Sequence, residues 1–278
     1  DYTLSSKYFV TSDDLQYYLV PVYGAAPPHK HPICGDAECA SHGDDVTFEP
    51  WTTTDSLPTS GNYYLTSDVT LSAIYEPSGT VNLCLNGYKI SSTRNSDVVY
   101  VDSGKTLNIC DCIGNGKITS DHSAATINVK GTASLHSGTV ENKNSNGYPG
   151  ISLDSGSLTV TGGTVTSSKI SSDGIGIGVY AGTLTLSGAP TISGTAADIN
   201  LKGNGNAVIT VDGSLSNTTP YKVRLTYYDE LPYTIVTANA TDYSDRFEAV
   251  NSNYGLYYDT NSQCVKLAQV EKIPVLHR

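Results

Sequence analysis

Ser155–Gly163 reads SGSLTVTGG and Ala181–Ala189 reads AGTLTLSGA. In each, apolar residues follow a glycine at every second position: Leu158 and Val160 in the first, Leu184 and Leu186 in the second. Period-two alternation is the signature of a strand with one buried face. The same phrase recurs upstream as SGTVNLCLNG from Ser78, SGKTLNICDC from Ser103 and KGTASLHSG from Lys130. Its leading glycines, Gly79, Gly104, Gly131, Gly156 and Gly182, are spaced 25, 27, 25 and 26 residues apart. One apolar column is Val81, Leu107, Ala133, Leu158, Leu184; the next is Leu83, Ile109, Leu135, Val160, Leu186. Each unit adds two more short apolar segments: Ile90, Ile118, Val140, Val165 and Ile192, then the i, i+2 pairs such as Val99/Val101 and Ile127/Val129. Three short strands joined by Gly, Ser and Asn turns do not suit a helical repeat of this length. They predict an all-β fold, a right-handed parallel β-helix whose rungs stack about 4.8 Å apart with like residues in ladders.

Composition agrees. Charged residues make up 15% of 278, below the roughly 25% of ordinary soluble domains, which disfavours exposed helices. Gly 26 and Tyr 20, against Phe 3 and Trp 1, suit a turn-rich β protein. The net charge of −11 would repel a phosphate backbone, so no nucleic-acid partner is expected. No apolar run approaches the length of a membrane span, so no membrane insertion is expected, and the absence of Met suggests that any start residue or signal peptide is missing. The expected organisation is 1–27 as the end of a preceding module plus linker and 28–48 as a Cys/His segment. The β-helix is expected over 49–217, a tyrosine-rich β cap or an irregular continuation of the solenoid over 218–268 (with DYSDRFEAV a candidate short helix), and a tail over 269–278.

The block HKHPICGDAECASHG (29–43), the tryptophan of FEPW and LPTSGNYYLTSDVTL occur in a specific order. SGTVNLCLNGYKI, GKTLNICDC, the Gly-Gly-Thr-Val rung and LSNTTPYKVRL follow them. From His29 to about Leu225 the chain resembles a repeated module of large surface proteins of gut Firmicutes. That resemblance implies a pectate-lyase-like β-helix on a secreted or cell-wall-attached protein, and no defined activity.

Several residues carry candidate chemistry. His31, Cys34, Cys39 and His42, beside His29, offer thiolate and imidazole ligands that can wrap a structural Zn²⁺. A Cys34–Cys39 disulfide is the rival reading. Cys84 and Cys110 occupy equivalent rung positions, which places them within disulfide range, with Cys112 as the alternative partner and Cys264 left over. Small buried thiols are the plainer reading. No cofactor is required.

Outward rung positions are mostly Ser, Thr and Asn, so no catalytic set is expected. Asp102 and Asp154 are the best-matched acids, two rungs and about 9.6 Å apart, near the upper limit for an inverting carboxylate pair. Tyr227, Tyr228, Tyr257 and Tyr258 come as adjacent pairs, so one ring of each pair should face outward, where it could stack on a sugar. LPTSG (57–61) reads as a turn, and GIGIG (174–178) as a strand rather than a phosphate loop. The chain therefore reads as a non-catalytic extracellular module, monomeric within a larger chain, that binds glycan or host mucin. The alternatives are a rigid spacer, or a polysaccharide lyase or glycoside hydrolase.

Overall fold

The computed structural model describes residues 8–13, 16–21, 29–35, 44–167, 173–228 and 230–272. It is a β-solenoid of about seven turns, with three sheets of 12, 6 and 7 strands whose stacked rungs pair in parallel, and helix confined to three single 3-10 turns among the described residues. Each rung contributes one strand to each sheet in turn. In one rung these are Thr106–Cys110, Lys117–Ser120 and Ile127–Val129.

The apolar columns legible in the sequence are the ladders. Val81, Leu107, Ala133, Leu158 and Leu184 are register partners in the first sheet, as are Leu83, Ile109, Leu135, Val160 and Leu186. Ile90, Ile118, Val140, Val165 and Ile192 align in the second. All of these are buried and belong to one continuous core. Burial of this kind stabilises by about 25 cal/mol per Å² of apolar surface, and stacking like residues lets each rung cover the next. Ile175–Val179 is a fully buried strand, and Leu57 is a buried turn residue.

The polar columns are also ordered. Asn108 Nδ2 donates to Asn82 Oδ1 at 2.7 Å, and Asn82 Nδ2 donates to Asn62 Oδ1 at 2.6 Å. Such a ladder turns each amide's donor and acceptor toward its neighbours in adjacent rungs. Asn82→Ala removes two of these bonds and should cost about 1–3 kcal/mol in urea unfolding, whereas the outward Thr210→Ala should cost under about 1 kcal/mol.

The ends depart from simple stacking. His29–His31 pairs antiparallel with Val46–Trp51 at the start. At the far end, parallel pairing continues beyond residue 217: Tyr221–Thr226 lies on Ala197–Lys202, and Phe247–Ala249 on Tyr221–Thr226. The Gly-x-Leu signature is lost there, yet Tyr221 and Val223 still alternate inward. Tyr254–Asp259 and Cys264–Gln269 then form an antiparallel hairpin on Tyr233–Thr237. These antiparallel strands end the first sheet at both sides and break the parallel register that a further rung would need, whereas the second and third sheets end on parallel strands. The short helix expected in DYSDRFEAV is only a 3-10 turn, Ser244–Arg246, because Phe247 is drawn into the third sheet as a strand residue. Tyr8–Asp13 and Gln16–Pro21 form their own antiparallel pair.

Candidate functional site

The outer face of the third sheet gathers aromatic and charged side chains. Tyr100, Asn128, Ser152, Gly178, Asn200 and Arg224 are register partners there. One residue past the inward Val101, Val129, Leu153, Val179 and Leu201 come Asp102, Lys130, Asp154, Tyr180 and Lys202. Tyr180 lies across Gly178, where a side-chain carbon would come within 3.1 Å of its ring. Tyr227 is 73% exposed and holds φ at 51°, a conformation unfavourable for a bulky residue. Lys202 Nζ sits 5.6 Å from its ring centroid, and Lys130 Nζ sits 5.5 Å from that of Tyr100. Arg224 Nε donates to Asn200 Oδ1 at 2.7 Å. Burial, then the charge of Asp154, pushes the Tyr180 hydroxyl pKa up, against the opposing pull of Arg224.

The two acids singled out in the sequence lie at the edge of this face. Asp154 accepts from Ser152 Oγ at 2.7 Å and from Asn128 Nδ2 at 3.2 Å, while Asp102 accepts from the Ser103 N–H at 2.8 Å. Lys130 occupies the rung position between them, where an inverting pair needs room for substrate and water. Its ammonium pKa is raised by the Tyr100 hydroxyl first and by both carboxylates after it.

Of the four tyrosines proposed from sequence, Tyr227 alone stands out on this face. Tyr228 shares a hydroxyl hydrogen bond of 2.9 Å with Tyr254, and Tyr258 donates to the Ala240 carbonyl at 2.9 Å. Tyr257 sits opposite Lys266 in the terminal hairpin and is half-buried.

A second concavity, an open groove of about 890 Å³, runs along the edge of the first sheet. It is lined by hydroxyls, among them Thr159, Thr161, Thr185 and Ser187, with Asp111 at one end and Asp212 at the other. Asp111 is buried, and both its carboxylate oxygens accept backbone N–H groups: Gly87 at 2.7 Å and Gly116 at 2.6 Å. It is a turn buckle rather than an open acid.

At the start of the solenoid a third cluster forms that the sequence reading did not assemble. His29 and His31 project from one face of their short strand, with Nε2 atoms 3.0 Å apart. Cys84 ends the strand Thr80–Cys84, and Cys112 lies two residues beyond Cys110, the register partner of Cys84. Cys112 Sγ is 3.4 Å from Cys84 Sγ and 3.5 Å from His29 Nε2. The four ligand atoms all lie within 4.8 Å of one another. His29 stacks on Tyr64 at 4.2 Å, and His31 packs on Phe48 at 4.3 Å. Burial, then the proximity of His31, lowers the His29 pKa. At His31 burial also pulls downward, but the Cys112 thiol, the Pro32 carbonyl and Asp45 together leave its pKa raised. The Cys110 thiol and burial push Cys84 up to about 12.

Of the ligand set expected from sequence, His31 belongs to this cluster. Cys34 is buried beside the groove, and Cys39 and His42 lie outside the described residues. Cys84 and Cys110 are register partners, as the rung spacing predicts, and both are thiols. The signal that could have revealed the cluster is the His-x-His alternation of residues 29–31, which puts both rings on one side of a strand.

Among the described residues no helix is long and apolar enough to cross a membrane. No family model, curated protein or solved structure matches the chain. The parallel stack of in-register rungs makes it a β-solenoid.

Proposed function

We propose that the chain is a non-catalytic glycan-binding module of a secreted or cell-wall-attached protein, reading a sugar chain across the outer face of its third sheet. Tyr227 carries this reading. A tyrosine held at positive φ and left 73% exposed presents an aromatic face that packing alone does not require. The apolar side of a pyranose ring suits such a face, and nearby polar groups fix its hydroxyls. Asp154 and Arg224 each stand within electrostatic reach of Tyr180 there. Lys130, Lys202 and Arg224 place three cations on this face of a chain that is acidic overall, which suits carboxylated sugars such as those of mucins. The resemblance of 29–225 to surface modules of gut bacteria supports an extracellular setting.

The test is retention of the protein on immobilised mucin and plant polysaccharides, followed by titration with the best polymer. Tyr227→Ala and Tyr180→Ala should each weaken binding about five- to ten-fold, or about 1–1.4 kcal/mol, whereas Tyr257→Ala should leave it unchanged. Equal binding by all three variants would remove this face from the site. No retention on any polymer would instead favour a rigid spacer, a reading that rests on the continuous core running from Leu57 to Leu267.

A further inference from the structure

We propose that His29, His31, Cys84 and Cys112 form a closed tetrahedral site for a zinc-class divalent ion, which clamps residues 29–35 onto the first rungs of the solenoid. The site is independent of glycan binding and uses a different set of ligands from the one the sequence suggests.

Distances make the first argument. Zinc binds sulfur at about 2.3 Å and imidazole nitrogen at about 2.0–2.1 Å. A regular tetrahedron of those radii has edges of about 3.3 Å between nitrogens, 3.6 Å between nitrogen and sulfur, and 3.8 Å between sulfurs. The corresponding separations are 3.0 Å for the two imidazole nitrogens, 3.5 Å for His29 Nε2 to Cys112 Sγ, and 3.4 Å for the two sulfurs. The remaining edges lie within 4.8 Å, so side-chain adjustments of about an ångström complete the shell.

The surroundings make the second. The His31 Nδ1–H donates to the Pro32 carbonyl at 2.6 Å, which selects the tautomer whose Nε2 lone pair faces the other three ligands. Phe48 and Tyr64 hold the two rings in place through contacts that do not occupy the ligand atoms. Two thiolates and two neutral imidazoles around a divalent cation sum to zero charge. A neutral complex lowers the desolvation cost for a cluster in which His31 and Cys84 are buried.

The chemistry of the donors selects the ion. Thiolate and imidazole in a tetrahedron favour zinc over calcium or magnesium, which require oxygen ligands. Four protein ligands leave no open position for water, so the ion would be structural. Its ligands join segments as far apart as His29 and Cys112, 83 residues along the chain, so one ion would close a long loop. Gly35, at φ 80°, then turns the segment close over the Cys110 side chain, with a hypothetical Cβ at 3.2 Å.

The test is titration of the reduced 278-residue chain with Co²⁺, followed by displacement with Zn²⁺. The expected result is saturation at about one ion per chain, with thiolate-to-cobalt charge-transfer absorption and the visible bands of a tetrahedral ion. Cys112→Ser and His29→Ala should weaken binding by at least about ten-fold, whereas Cys110→Ser, Cys39→Ser and His42→Ala should retain it. Chelation should raise amide exchange in residues 29–35 while leaving the rungs beyond Ser137 unchanged. Absence of charge-transfer absorption in the reduced parent chain would overturn the proposal without reliance on any variant. So would its loss in Cys39→Ser or His42→Ala together with survival in Cys112→Ser.

Discussion

Gly156→Ala should destabilise the solenoid by more than about 4 kcal/mol, a loss reserved for substitutions that displace the backbone itself. Gly156 has φ 70°, which alone costs a residue bearing a Cβ about 1–2 kcal/mol. The larger part comes from stacking. A Cβ there would lie 2.0 Å from the Gly131 carbonyl oxygen and 2.6 Å from that of Lys130. Neither oxygen can retreat freely. The Gly131 carbonyl accepts the Ser157 N–H at 2.9 Å, and the Lys130 carbonyl accepts Ser155 Oγ at 3.2 Å. Relieving the overlap therefore breaks the bonds that hold one rung on the next.

Gly104 supplies the control, since it occupies the same repeat position and has φ 75°, with nothing within 4 Å of its hypothetical Cβ. Gly104→Ala should cost only about 1–2 kcal/mol, the conformational part. Equilibrium urea unfolding of the two variants separates the effects. Equal losses would mean that backbone conformation, and not rung-to-rung contact, makes glycine necessary there.

Asp111→Ala should cost about 2–6 kcal/mol. The carboxylate bridges two turns, accepting the Gly87 N–H from the rung below and the Gly116 N–H from its own. Its own N–H donates to Ser137 Oγ of the rung above at 2.7 Å. Truncation leaves two backbone donors unpaired in a confined turn, at about 1–3 kcal/mol each. Asp111→Asn keeps an oxygen for one of them and should recover about half the loss, while Asp212→Ala at the other end of the groove should cost less than about 0.5 kcal/mol. Amide exchange at Gly87 and Gly116 should accelerate in the alanine variant. Unchanged exchange at both glycines would show that water replaces the carboxylate.

The ladders could be read from the chain because a solenoid turns sequence period into spatial register. With near-equal repeat lengths, Leu107, Ala133 and Leu158 have to stack, and alternation along each strand decides which side is buried. GIGIG reads as a strand for the same reason, since its isoleucines recur every second residue. The C-terminal boundary was less legible, because Tyr221–Thr226 keeps its inward alternation after the glycine signature has gone.

The polar sites follow a different logic. His29, Cys84 and Cys112 share no local pattern, and a spacing rule naturally groups His31 with the nearer cysteines. Only the antiparallel docking of His29–His31 on Val46–Trp51, beside the ends of two stacked strands, brings their ligand atoms together. Asp111 and Tyr227 likewise resemble other acids and tyrosines until their partners are known. Sequence alone determined the stacked β architecture and the identity of its buried columns, because those depend on period. The tertiary structure decided which polar groups meet, because that depends on how separate rungs and the incoming N-terminal strand are placed against one another.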